Sequence, residues 1–214
     1  MAIEREKILD AAMALLNEVG LDRLTTRKLA ERLGVQQPAL YWHFKSKSAL
    51  LDALNELMLT RHHDHRVPGP GETWEEFAVA KARSFRRTML SVRDGARLNA
   101  GTRPSSSQFA DAELQLRLYV DAGFSAEEAF HISIALARYV VGFVLEEQDE
   151  REREEVDGPG SDDDPLAEIA AYPLLLEALR PVISSGTINT EAAFEAGLGY
   201  LVSGARKSLA GKSG

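Results

Sequence analysis

There is no cysteine in this chain. Disulfides, thiolate zinc sites and cysteine nucleophiles are therefore excluded, and the expected setting is a reducing cytoplasm. No uninterrupted apolar run reaches the roughly 18 residues of a membrane span. The charged start, MAIEREKILD, has no apolar stretch of the signal-peptide kind. No membrane partner is expected. Catalytic signatures are missing as well: there is no GxSxG, no phosphate-cradling glycine loop and no HExxH spacing. Glu146 and Glu147 are neighbours on a helical stretch and point apart, so they make a poor acid–base pair. The chain does not read as an enzyme. β-type alternation and internal repeats are also absent, which leaves an all-α reading.

What the chain does hold is 214 residues, 44% apolar and 27% charged. That suits one mid-sized domain, or a small domain fused to a larger one. The net charge of −8 argues against nucleic acid until its distribution is read. Residues 1–50 carry eight basic and six acidic side chains, net +2, so the remainder carries −10. A small basic end on an acidic body fits a DNA-binding head on a body that phosphates repel.

Helical periodicity runs through nearly every segment. Ile8, Ala12, Leu15, Leu16 and Val19 recur at helical spacing, with Gly20 as the stop. Short helices are expected over about 26–33 and 37–43, and a longer one over 47–64. VPGPGE (Val67–Glu72) breaks the pattern. Thr73 with Glu76, and Ser125 with Glu128, are capping-box pairs. The first precedes a helix through Val92, and the second precedes the longest helix, to about Arg151. The acidic stretch within residues 148–165 reads as a mobile loop, because it has almost nothing to bury. Its run Asp162, Asp163, Asp164 reads as solvated rather than metal-binding. Two closing helices are expected over about 166–183 and 190–209.

Residues Thr26–Lys45 have the layout of a helix-turn-helix. Ala30 sits where two helices cross closely, Gly34 where the tight turn favours positive φ, and Leu40 where the second helix plugs onto the first. Pro38 is tolerable only in a first helical turn, which fixes where the second helix begins. Gln37 then lies at the end that enters the major groove, where its amide can read adenine. Phe44 is expected in the core, with Tyr41 and His43 facing DNA. Lys47 opens the next helix, where its amine and nearby N–H groups can hold a phosphate.

The run LTTRKLAERLGVQQPALYWHFKSKSALLDAL (Leu24–Leu54) closely resembles the DNA-binding head of the TetR family. The resemblance extends to RHHDH (Arg61–His65), SFRR (Ser84–Arg87), RDGARLNAGTRP (Arg93–Pro104), QLRL (Gln115–Leu118) and GFVLEEQ (Gly142–Gln148). It implies an all-α chain of about ten helices. A three-helix head, residues 1–46, would bind DNA. A larger body, residues 47–214, would bind a ligand and form a homodimer, with 47–64 as connecting helix. It also implies a small-molecule-responsive repressor acting on a palindromic double-stranded DNA operator. The family's DNA contacts fall on Thr26, Arg27, Gln37, Pro38, Tyr41, Trp42, His43 and Lys47, with Ala39 where a threonine is common.

Drug-sensing members of the family hold a Mg²⁺–drug chelate, and His63, Phe85, Thr102, Arg103, Gln115 and Glu146 match their pocket positions. Two positions depart from the pattern: Lys81 replaces an asparagine, and Asn99 replaces the histidine that coordinates the metal. No cofactor is required on this reading. Mg²⁺ enters only beside a tetracycline-like ligand, with Asn99 and Glu146 as its candidate ligands. A cation at Lys81 beside Arg103 points instead to an anionic or carboxylate-bearing aromatic effector, unless Lys81 turns to solvent. Two alternatives stay open: a sensor of the tetracycline–Mg²⁺ chelate itself, and a DNA-binding regulator without ligand response. Adjacent histidines on a helix point about 100° apart, so His62 and His63 cannot readily share an ion. His63 reads as a pocket residue and His131 as a packing residue.

Overall fold

The structure, a computed structural model, describes residues 3–103, 105–157 and 169–211. Its described residues fold entirely as helices and connections. The first three helices are α1 (Arg5–Val19), α2 (Thr26–Leu33) and α3 (Gln37–Tyr41). α1 buries Ile8, Ala12, Leu15 and Leu16 along one face, the stripe its periodicity predicts. Thr25 caps α2 by accepting from Lys28 N–H, and Gly34 ends it in the left-handed region at φ 65°. Leu40 and Phe44 lock α3 into the small core, 3% and 5% exposed. α3 stops at Tyr41 rather than continuing to His43; Trp42 and His43 lie in the turn that follows.

α4 (Lys47–His62) leaves this head with Ser46 as its cap, accepting from Ala49 N–H. It ends at His62, two residues before the expected Asp64, because His63 turns to a non-helical ψ of 89°. α5 (Trp74–Leu90) opens on the reciprocal Thr73–Glu76 capping box and ends two residues before the expected Val92. α6 (Gly95–Ala100), a short 3₁₀ turn (Ser106–Gln108) and α7 (Phe109–Asp121) lead to α8 (Ala126–Asp157). α9 (Pro173–Ser185) and α10 (Glu191–Ala210) close the fold. The body core gathers Trp74, Phe77, Tyr119 and Phe124 at one end, and Val140, Val144, Phe194 and Leu198 at the other. Trp74 meets Phe124 edge-on at 5.1 Å, a favoured aromatic geometry.

α8 corrects two expectations. It continues to Asp157, so Gln148–Asp157 are helical and not loop. The acidic run is held by partners far along the chain. Glu150 accepts from Thr187 Oγ1 at 2.5 Å and Asn189 Nδ2 at 3.0 Å, and Glu152 pairs with Arg93 at 3.6 Å. The rest of the expected loop, with Asp162–Asp164, lies outside the described residues. α8 also contains a stretch, Ala126–Arg153, long and apolar enough to cross a membrane by length and composition, with mean hydropathy 1.5. The search for unbroken runs misses it because His131 and Arg138 punctuate it. Only 22% of its most apolar window is buried within the chain, and His131 itself is exposed instead of packed. Phe130, Leu174, Tyr200 and Leu201, on α8, α9 and α10, are exposed too. Apolar side chains left open on helices mark a surface for a partner.

Candidate functional site

The head presents α3 outward. Its inner residue Leu40 is buried, while Pro38, Tyr41 and Trp42 are exposed; Trp42 is 89% exposed, an extreme value for so large an apolar ring. Thr26 and Gln37 meet across the turn: Gln37 Nε2 donates to Thr26 Oγ1 at 2.7 Å and lies 3.5 Å from Tyr41 Oη. That contact fixes the amide direction while leaving Gln37 Oε1 as an acceptor. Arg27 is exposed and pairs with Glu31, and Lys47 is exposed at the first turn of α4. Ala39 and His43 are half-buried. Gln37 and Tyr41 on α3, Trp42 just beyond its end and Thr26 at the start of α2 therefore lie on the outward side of a short helix whose other face is anchored in the core. The arrangement suits insertion of that helix into a groove of DNA.

The head is bolted to the body at α6. Asp94 adopts φ 55°, a left-handed conformation rare for a residue with a Cβ, and its carboxylate accepts from Leu21 N–H at 2.6 Å. Arg97 pairs with Asp22 at 2.8 Å, and Arg93 N–H donates to Asn17 Oδ1 at 2.9 Å. Gly95 packs so tightly that a Cβ there would stand 2.1 Å from the Met89 carbonyl oxygen. Gln148 of α8 completes the joint by accepting from Ala96 N–H and donating to the Met89 and Val92 carbonyls.

In the body, the predicted effector residues fall into two groups along α4. At its far end His63 stacks on Phe85, ring centroids 5.5 Å apart. Nδ1 of His63 lies 2.7 Å from Ser84 Oγ, and that hydroxyl donates to Asp64 Oδ1 at 2.5 Å. With its proton spent on Asp64, Ser84 accepts from His63, which fixes the Nδ1–H tautomer and leaves Nε2 as an acceptor. Burial, and then the charge of Lys81, push the His63 pKa down to about 4, so the ring is neutral near pH 7. Lys81 does not point to solvent. Its Nζ donates to Gln115 Oε1 and lies 5.7 Å from the Phe77 ring centroid. Gln115 is itself oriented by donating to the Arg66 carbonyl at 2.6 Å, and Arg66 pairs with Asp111 at 2.7 Å. Burial lowers the Lys81 pKa to about 8.

The second group lies near the middle of α4. Asn99 Nδ2 donates to Asn55 Oδ1 at 3.1 Å, Thr102 Oγ1 donates to the Asn99 carbonyl at 3.0 Å, and Arg103 N–H donates to Asp52 Oδ1 at 3.4 Å. Eight residues separate Asn55 from His63, so the groups stand roughly 12 Å apart along the helix. Glu146 joins neither group through a hydrogen bond or ion pair among the described residues, and it is exposed on α8. Its neighbour Glu147 is the buried one, bound by Arg86 at 2.7 Å.

Sequence reasoning missed Asp64, Ser84, Arg66, Asp111, Asn55 and Asp52 as partners. Ser84 and Asp64 lay within quoted motifs, but only their spacing in space pairs them. Two surface hollows are nearby, of about 280 and 820 Å³, the first at the head–body joint and the second beside His65, Glu72 and Arg206. Neither is lined by the predicted effector residues.

Comparison with known proteins now bears on both sites. Residues 8–54 match the profile of bacterial regulatory proteins of the tetR family, and residues 67–209 that of the tetracyclin repressor-like C-terminal domain. The chain is 47% identical over 206 residues to the class C tetracycline repressor protein of Escherichia coli, covering 96% of this chain and 91% of the relative. It is 48% identical over 209 residues to the class A protein from transposon 1721 of the same organism, with the same coverage. It superposes on a class A TetR solved with 5a,6-anhydrotetracycline and magnesium at a TM-score of 0.72. That pair is 41% identical, over 96% of this chain and 99% of the other.

Proposed function

The chain belongs to the TetR family of bacterial regulatory proteins, and on that premise we infer how its residues divide a repressor's work. It is a ligand-responsive transcriptional repressor that binds a double-stranded DNA operator as a homodimer and responds to a small-molecule effector. Its relatives are repressors, not enzymes. A division near residues 46 and 47 separates the reading head from the body, and the place of action is the cytoplasm, where the DNA lies.

The observation that carries the reading is α3 itself: Leu40 and Phe44 buried, Gln37 held by Thr26, and Tyr41 and Trp42 turned outward. Thr26, Arg27, Gln37, Pro38, Ala39, Tyr41, Trp42, His43 and Lys47 form the DNA-contacting set. Gln37 reads a base edge, while Arg27 and Lys47 meet phosphates. Two heads on a symmetric dimer require an inverted repeat. Helices α8, α9 and α10 carry the open apolar side chains that the second copy covers. The effector binds among His63, Lys81, Phe85, Asn99, Thr102, Arg103 and Gln115. Binding favours a conformation with wrongly spaced heads, so release of DNA is a shift of population set by differential affinity. α4 is the link, because it begins beside the head at Lys47 and ends in the pocket at His63.

Magnesium does not fit the residues this chain places at the relatives' chelate position. Asn99 and Thr102 bond their neighbours through Nδ2–H and Oγ1–H and so offer a cation only neutral oxygens, Glu146 lies exposed on α8 without joining them, and among the described residues no three His, Asp or Glu side chains gather as a metal site. No step here is routed through a metal.

Selection of bound duplexes from random DNA by the full-length protein tests the DNA half of this reading. An inverted repeat is expected. Recovery of a single unrepeated site, or of no sequence preference, overturns it.

A further inference from the structure

We propose that the effector is a flat, elongated aromatic carboxylate, bound without a divalent metal and held through its anionic group by Lys81. The proposal deepens the pocket assignment above and rests on it.

The first observation is direction. Lys81 lies on α5, and it extends inward to Gln115 rather than out to water. An ammonium group enclosed in this way needs a compensating anion. Among the described residues no carboxylate lies within ion-pair distance of Lys81. The nearest acidic influence, Asp111, is already bound by Arg66 at 2.7 Å. Gln115 supplies one neutral acceptor and is itself held by the Arg66 carbonyl, so it orients the ammonium without neutralising it. A carboxylate arriving from solution completes the set with a charge-assisted hydrogen bond.

The second observation is the balance of charge around this point. His63 is neutral near pH 7, so it neither competes for the anion nor neutralises the lysine. Arg66 lies beside the same group of side chains. A cationic group of a ligand placed here would face Lys81 and Arg66 across a poorly screened interior. An organic anion meets the opposite field.

The third observation is shape. Phe85 and His63 form a stacked pair, and Phe77 flanks Lys81. The half-buried His63–Phe85 stack suits an aromatic body, while Phe77 backs Lys81 from the core. The second polar group, Asn99 and Thr102, stands roughly 12 Å farther along α4. A rigid molecule of about three fused rings spans that distance, with its carboxylate at the Lys81 end and neutral hydrogen-bonding groups at the Asn99 end.

The test uses the full-length dimer and a matched pair of probes, anthraquinone-2-carboxylate and anthraquinone-2-carboxamide, titrated in EDTA and again in Mg²⁺. Four proteins are compared: wild type, Lys81→Met, Phe85→Ala, and the double variant Lys81→Asn with Asn99→His. The acid is expected to bind wild type at least about tenfold more tightly than the amide, equally well with or without metal. Lys81→Met should erase the discrimination while raising Tm of the free protein, since it removes an enclosed and uncompensated cation. Phe85→Ala should weaken both probes. The double variant should gain Mg²⁺-dependent tetracycline binding over wild type. Equal binding of acid and amide, no binding of either to folded wild type, or tight Mg²⁺-dependent tetracycline binding by wild type overturns the proposal. The two levels fail differently. If Phe85→Ala leaves binding unchanged, the pocket assignment is wrong. If it weakens both probes but Lys81→Met keeps the discrimination, only the charge assignment is wrong.

Discussion

The head and the body of this repressor treat their polar side chains in opposite ways. On the head, the large side chains that face outward are left open: Trp42 is almost bare, and Tyr41 is exposed beside the Gln37–Thr26 hydrogen bond. In the body, the polar groups satisfy one another. Lys81 is bonded to Gln115, His63 to Ser84, Ser84 to Asp64, and Asn99 to Asn55. No buried side-chain nitrogen or oxygen lacks a hydrogen-bond partner among the described residues. A surface that waits for DNA keeps its valences free and costs little in stability. On the proposed assignment of the effector to these residues, they satisfy one another while no effector is bound, and binding is an exchange of partners. Substitutions in the head should therefore change affinity for DNA, and substitutions in the body should change stability.

Four outcomes would break or sharpen that contrast. The largest effect is expected at Arg86, which is nearly enclosed, binds Glu147 in a fork at 2.7 and 2.9 Å, and lies 4.6 Å from the Phe194 ring centroid. Arg86→Ala strands a buried carboxylate and should cost about 3–5 kcal/mol in urea unfolding. A loss below 1 kcal/mol, on the order of a surface pair, would place this cluster with the open surfaces instead.

Next is operator affinity. Gln37→Ala should weaken binding to the preferred duplex by about 1–3 kcal/mol and relax sequence preference at one position. A fluorescence-anisotropy titration reads this, and a uniform loss across all sequences would make Gln37 a backbone contact.

Acid stability comes third. The folded pKa of His63, about 4, is below its ordinary value of 6.5. The unfolded chain then binds the extra proton first, so stability falls as pH drops from about 6.5 toward 4, by up to about 3 kcal/mol from this group. Above that window the group contributes no slope. The fall should flatten in His63→Gln, and identical pH profiles would remove His63 from the account. The smallest effect is at Trp42. Trp42→Ala should leave stability within about 0.5 kcal/mol of wild type while weakening DNA binding, and a drop in Tm without a loss of DNA affinity would contradict the open-face description.

Much of this was legible in the sequence, for reasons that differ along the chain. The head is governed by short-range rules. Gly34 ends α2, Pro38 starts α3, and Leu40 and Phe44 anchor it, each within a few residues of its cause. The capping boxes at Thr73–Glu76 and Ser125–Glu128 form as their spacing predicts. The direction of Lys81 could not be read, because it is set by Gln115, 34 residues away. The helical state of Gln148–Asp157 was hidden for the same reason: its acidic composition suggests loop, while Arg93, Thr187 and Asn189 hold it from a distance. His131 is exposed on the single chain, because helical spacing gives a face but not what covers that face.

α8 joins these scales. At 32 residues it is a rod roughly 48 Å long. One part of it bears apolar side chains left open on the single chain, and Gln148, farther along, grips the collar on which the head is mounted. A rod of that length works as a pointer: a tilt of about one degree at one end swings the other by nearly an ångström. On the proposed reading, a small settling of side chains at one end of α8 is carried along the rod to the collar that holds the head.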